Sequence, residues 1–279
     1  MAAPKTSFYY SFQVLPPDQR RAIIAVWEFC RAVDDAVDEC DAPGAMPAEE
    51  GVAYWRAELA RCFDGAAPLT AQGQRLQPCI REFDLPRQAF DDVVDGVAMD
   101  LDHSRYETFA DLYEYCRRVA SAVGMICIRI FRCEDPASVD YALHLGLALQ
   151  LTNIIRDIKG DLERGRVYLP LEDLRRFGCT VDDLAAGRVT EPVRQLLAFE
   201  CGRARDYYQK AVAVRPERDR RRLVASEIMR AVYSKTLARI EHRGFDVFGP
   251  RVRVPKPVQA WIALRQWLFR SEEHTSELQ

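Results

Sequence analysis

Residues 147–161 read LALQLTNIIRDIKGD, an apolar run in which Gln150, Asn153, Asp157 and Asp161 recur every three or four positions. That spacing belongs to an α-helix. It places the four polar groups on one side and Leu, Ile and Ala on the other. Residues four apart lie about 6 Å apart along a helix axis, so the two carboxylates share a face. Working outward, the same arrangement recurs at 31–39, RAVDDAVDE, where Trp27, Arg31, Asp34 and Asp38 form a stripe with Asp35 beside it. Carboxylates sharing a helix face repel each other, and a charge set in an apolar run is costly unless paired. One such pair alone would read as a solvated helix face. Two copies in apolar surroundings call for something cationic.

Mg²⁺ suits a sparse set of aspartates, because it keeps waters and takes one or two protein carboxylates together with phosphate oxygens. Two helices facing each other across a cavity would let a diphosphate bridge metals held on opposite walls. Helical periodicity extends along the chain, roughly over 17–39, 47–62, 71–83, 86–100, 107–131, 137–161, 190–214, 217–243 and 257–269, with no convincing alternating strand set. Pro16 and Pro17 suit a helix entrance, and DAPGAMP, DGAAPLT and CEDPAS read as connections. The expectation is an all-α, single-domain helical bundle.

The chain has 279 residues, 48% of them hydrophobic, enough for one large core. A net charge of −3 gives no global basic surface for nucleic acid. Nine cysteines without a CxxC pair fit a reducing compartment and core packing better than a disulfide framework. His103, His144, His242 and His274 lack zinc-type spacing. The start MAAPKTSFYYS has no extended apolar region of the secretory kind, and no stretch approaches the roughly 18 apolar residues of a membrane span.

Four linked segments carry a resemblance: SFYYSFQVLPPDQRRAI with FCRAVDDAVDE, then YCRRVASAVG, then LALQLTNIIRDIKGDLERGRVYLP. In order and spacing they resemble the squalene and phytoene synthase family of head-to-head (1'-1) condensing prenyltransferases, from Ser7 to about Arg270. SFYYSF, RVASAVG and IEHRGFDVF look most like the branch of bacterial hopanoid pathways that makes presqualene diphosphate. The resemblance implies an isoprenoid synthase bundle with a central prenyl-diphosphate cavity, covering residues 1–270, and condensation of two farnesyl diphosphates. Squalene, dehydrosqualene and phytoene are the alternative products, and a non-catalytic helical scaffold is a distant one. SEEHTSELQ, 271–279, is unlike the family's C-terminal segment and resembles a translated sequencing adaptor, so it is expected to stand outside the catalytic unit.

The implied metal ligands are Asp34, Asp35, Asp38, Asn153, Asp157 and Asp161, holding Mg²⁺ with Mn²⁺ as an alternative, and NADPH is not expected to be required. Tyr115 aligns with the tyrosine of the family's YC motif, implicated in handling the cationic intermediate or its proton. Arg31 and Arg156 lead the candidates for diphosphate contact, because a planar guanidinium matches phosphate oxygens. Lys159, Arg164 and Arg166 are read as a flap beside the second motif, while Gln150 and Asn153 orient substrate or water. Phe8, Trp27 and Tyr115 offer ring faces to cations. Tyr115, Val119, Ala122 and Ile126 are expected to share one face lining a prenyl tunnel. Lys5, Trp27 and Phe245 depart from the serine, tyrosine and tyrosine common in relatives, which bears on product more than on ionisation.

No obligate protein partner is evident. The expected location is cytoplasmic, with peripheral contact at the inner face of the membrane as the alternative. PKPVQAWIALRQWLF, 255–269, combines Lys256 and Arg265 with Trp261, Leu264, Trp267, Leu268 and Phe269, so it reads either as a last helix packed on the bundle or as a membrane-docking segment.

Overall fold

The first acidic stripe forms on α2, Pro17–Asp38, which begins at Pro16 and Pro17, where a fixed φ and a missing N–H cost a helix nothing. The structure, a computed structural model, describes residues 9–40, 42–102 and 104–276, residue 9 and residues 269–276 as backbone only. A short α1, Tyr9–Gln13, precedes α2. Three helices then pack around α2: α3 (Ala48–Asp64), α4 (Ala71–Phe83) and α5 (Arg87–Asp102). Their apolar faces build one core around Phe29, Leu59, Leu76 and Phe90. Phe29 meets Trp55 and Phe90 edge to face, an arrangement the ring quadrupole favours.

The second stripe forms on α8, Ala137–Glu163, a helix of 27 residues whose main neighbour is α11, Glu191–Val214. With α6 (Phe109–Cys116) and α12 (Val224–His242) these helices enclose a second core that contains Leu112, Leu147, Ile155 and Leu196. The two helices with acidic stripes therefore belong to different cores. Arg166, just beyond the end of α8, reaches Asp38 at the end of α2 and so ties the two together.

The expected helix 107–131 is instead α6, one π turn at Arg117–Ser121, and α7, Ala122–Ile130. A π turn inserts an extra residue, so the three-or-four spacing no longer carries one face through it. Tyr115 consequently lies in the second core while Ala122 and Ile126 lie in the first, and the continuous tunnel stripe expected from 115 to 126 does not form. The physical reason is close packing. A Cβ placed on Gly146 of α8 would stand 2.7 Å from Ser121 Cα, and one on Gly96 of α5 would stand 2.7 Å from Val119 Cγ1, so the π turn is wedged between two helices that touch it at glycine.

Other boundaries shift for local reasons. Residues 217–223 are turns, because Asp219 is fully buried and accepts from the amides of Glu134 and Asp135 and the hydroxyl of Ser138. Short helices α9 (Leu171–Arg176) and α10 (Val181–Ala185) fall below the length that periodicity detects. The last helix, α13, runs Lys256–Ser276, continuing through most of the segment expected to stand outside the catalytic unit. All nine cysteines are free thiols. Among the described residues no helix is long and apolar enough to cross a membrane.

Candidate active site between two acidic helix ends

Both acidic motifs occupy the C-terminal turns of their helices, and neither helix has a basic residue in its last turn. Helix C-termini carry partial negative charge from unpaired carbonyls, so the carboxylates there add to an unfavourable field. Arginines within these helices and from the loops beyond them compensate part of it. Arg31 NH2 stands 2.8 Å from Asp35 Oδ1 as an ion contact without hydrogen-bond alignment. Arg166 NH1, from the loop after α8, donates to Asp38 Oδ1 at 2.6 Å and so joins the two motifs. Arg156 reaches its neighbour Asp157 through Nε at 2.9 Å and also through NH2, with its guanidinium over the Tyr233 ring. Arg251 donates to the same carboxylate, again through Nε and NH2.

The remaining acids are not so matched. Burial pushes Asp34 up to about 6, and Asp38 and Asp100 push the same way. Asp34 is nevertheless exposed at the surface, so water opposes part of that push. Burial followed by repulsion from Asp157 pushes Asp161 up to about 7. Arg156 and Arg251 instead hold Asp157 below the usual carboxylate range against its burial.

Asp100, on α5, completes the acidic lining and was absent from the sequence reading. It accepts from the Tyr168 hydroxyl at 2.8 Å through Oδ1 and from the Tyr115 hydroxyl at 3.2 Å through Oδ2. The rings of Tyr115 and Tyr168 stack with centroids 5.1 Å apart, and Tyr106 leans on both. Burial pushes Asp100 up to about 6, opposed by Arg166 and the two phenols. Asp100 has no i, i+4 partner within an apolar run, and Tyr168 lies outside the helix in VYLP. Only the loop path shows their meeting: residues 104–107 pair with 167–172 through Val167 N to Ser104 O at 2.8 Å and Leu171 N to Tyr106 O at 2.9 Å.

The structure thus brings together Asp34, Asp38, Asp157, Asp161, Arg156, Arg166 and Tyr115 from the sequence reading, and adds Asp100, Tyr168 and Arg251. Gln150 and Asn153 lie half-buried two turns and one turn before Asp157 respectively, linked by Asn153 Nδ2 donating to Gln150 Oε1 at 3.3 Å. Trp27 is half-buried on α2, two turns before Asp34. Lys159 is exposed and joins none of these ion pairs among the described residues. Phe8 and Lys5 lie outside the described residues. Phe245 is half-buried with φ +65°, against the second core.

Among the described residues, no group of three or more His, Cys, Asp or Glu could hold a metal ion by itself. That is compatible with Mg²⁺ shared between a carboxylate or two and phosphate oxygens. Asn153 Oδ1 is buried without a hydrogen-bond partner, an oxygen available to a cation or its water. The donor set is all oxygen, which suits a hard cation.

The chain and its fold have counterparts among known proteins. The chain is 37% identical to 15-cis-phytoene synthase of Synechocystis sp. over 276 residues, 94% of this chain and 80% of that protein. It is 36% identical to presqualene diphosphate synthase of Rhodopseudomonas palustris over 264 residues, 93% of this chain and 92% of that protein. The fold superposes on the crystal structure of a dehydrosqualene synthase with a TM-score of 0.82 at 26% identity, covering 98% of this chain and 93% of that one. The squalene/phytoene synthase family profile matches residues 1–258, and the chain belongs to that family of head-to-head prenyl-condensing enzymes.

Proposed function

We propose that this chain condenses two molecules of farnesyl diphosphate into presqualene diphosphate with Mg²⁺. The observation that carries the reading is the pair of acidic helix ends joined through Arg166, together with a carboxylate–tyrosine cluster, Asp100 with Tyr115 and Tyr168. Asp34, Asp35 and Asp38 on one wall and Asn153, Asp157 and Asp161 on the other would hold the metal. Bound there, Mg²⁺ supplies Lewis-acid stabilisation of the diphosphate leaving group.

This chain's residues supply the rest. Arg31, Arg156 and Arg166 offer guanidinium forks to phosphate oxygens as the carbon–oxygen bond of one substrate breaks. The 2,3-double bond of the second substrate attacks the resulting allylic carbon, and loss of a proton closes the cyclopropane. Tyr115 and Tyr168 present ring faces to the cation, and a phenolic oxygen can take that proton as its own proton passes to the Asp100 carboxylate it already donates to, unless the departing diphosphate takes it instead. No covalent protein nucleophile and no NADPH enter this reading.

Matching motifs and near-complete coverage of the Rhodopseudomonas relative support presqualene diphosphate as product. A second reading, phytoene from two geranylgeranyl diphosphates, draws on the similar identity to the Synechocystis protein. Mass-resolved product analysis with farnesyl diphosphate and Mg²⁺, with and without NADPH, beside a geranylgeranyl diphosphate reaction, decides between them. Presqualene diphosphate accumulating even with NADPH is the expected result. Squalene, dehydrosqualene or phytoene would replace the product, and no turnover by folded protein would overturn the catalytic reading.

A further inference from the structure

Resting on that reading, we propose that Arg251 is a latch on the second acidic motif: its guanidinium occupies both oxygens of Asp157, and a divalent cation gains that carboxylate only when this fork swings away.

Lone pairs set the argument. Arg156 and Arg251 each give Asp157 a two-pronged grip, Nε to Oδ1 at 2.9 and 2.7 Å respectively and NH2 to Oδ2 in both cases. A carboxylate accepts at about four lone-pair sites, so two full forks leave none for a metal. One arginine must leave before Asp157 can serve as a ligand. The two are unequal. Arg156 is rooted in α8 beside Asp157, its side chain is 10% exposed, and removing it would strand a buried charge. Arg251 is 51% exposed and can be rehydrated where it stands.

The backbone that carries Arg251 is fixed while the side chain is not. Val252 and Val254 are buried on either side of Arg253, and Gln259 Nε2 donates to Val254 O at 2.7 Å. The latch therefore opens by a side-chain swing, not by unfolding residues 249–255. Asp161, one turn beyond Asp157, has no such fork among the described hydrogen bonds and ion pairs, so a cation can approach Asp161 first and compete for Asp157 afterwards. Binding at Asp157 and release of Arg251 are then two sides of one equilibrium, and whatever weakens the fork strengthens the metal.

The test is Mn²⁺ titration by calorimetry of the full chain without substrate, comparing the parent protein with Arg251→Gln and Arg251→Lys, each checked for an unchanged circular dichroism spectrum. Lysine keeps the charge and loses the fork, which separates the latch from simple electrostatic repulsion. The expected result is Mn²⁺ binding tighter by about threefold or more in both variants, the scale of releasing an exposed ion pair, with no gain from Arg251→Lys when Asp157→Asn is also present. Affinity in Arg251→Lys equal to or below that of the parent overturns the latch and leaves the proposed function intact. Absence of saturable Mn²⁺ binding in every variant, with inorganic pyrophosphate added, overturns both.

Discussion

At the scale of single residues, the site stores unfavourable charge that a metal and a diphosphate would relieve. Asp161 is the clearest case. Its carboxyl is raised from 3.8 to about 7, so the folded chain holds a proton there that the unfolded chain has released across that interval. Stability contributed by this group is therefore greatest near pH 4 and falls as pH rises toward 7. Asp161→Asn is expected to stabilise the chain by about 1–2 kcal/mol above pH 7, allowing for screening in an open cleft, with the gain vanishing as pH falls to about 4. Urea unfolding at several pH values without added metal checks it, and a destabilised variant at pH 8 would contradict the assignment. The same substitution should lose most Mg²⁺-dependent turnover. Asp100→Asn and Tyr168→Phe are expected to lower turnover by about a hundredfold while leaving the fold intact, the usual size of a lost proton-transfer group. Full activity in both variants would remove the carboxylate–tyrosine cluster from the chemistry.

At the scale of elements, α2 and α8 end where their charges are least welcome; the acidic helix faces were legible in the sequence, and their conflict with the helix ends came from the structure. NIIRDIKGD and RAVDDAVDE showed helix, face and acidity together, because all three follow from local spacing. The π turn was not legible. YCRRVASAVG reads as uninterrupted helix by periodicity, and only its confinement between Gly96 and Gly146 shows why an extra residue is accommodated there. Gly146→Ala would bring a Cβ to 2.7 Å from Ser121 Cα, a backbone atom that cannot rotate away. It should destabilise the protein by about 1–3 kcal/mol, as overpacking does, despite alanine's better helix propensity. Thermal unfolding measures the balance, and an unchanged or raised midpoint would show that the close approach yields easily.

At the scale of the whole molecule, two cores pack side by side, and α13 lies on the outside. Trp261, Leu264, Trp267 and Leu268 of α13 are exposed, with Arg253 and Lys256 exposed just before and at its start. An apolar helix face next to basic residues suits an anionic lipid surface. Sedimentation with vesicles containing anionic lipid is expected to carry the protein down, and Trp261→Ser with Leu264→Ser to reduce the bound fraction severalfold. Equal binding to neutral vesicles, or no change in the double variant, would count against docking through this face. Substrates and products with long prenyl chains give such docking a use, since their transfer through water is costly.

The sequence by itself determined that the chain is helical throughout, that two aspartate motifs lie on helix faces, and that cations must accompany them, because periodicity and charge repulsion act between near neighbours along the chain. The family resemblance also pointed to Tyr115, and the chemistry of diphosphate to the arginines at 156 and 166 as candidates. Tertiary structure alone decided which wall each motif forms, that Asp100 and Tyr168 complete the tyrosine cluster, and that Arg251 crosses 94 residues to grip Asp157. Those contacts depend on loops closing over long separations. Their geometry is fixed by how the two cores pack against each other, and no local pattern encodes it.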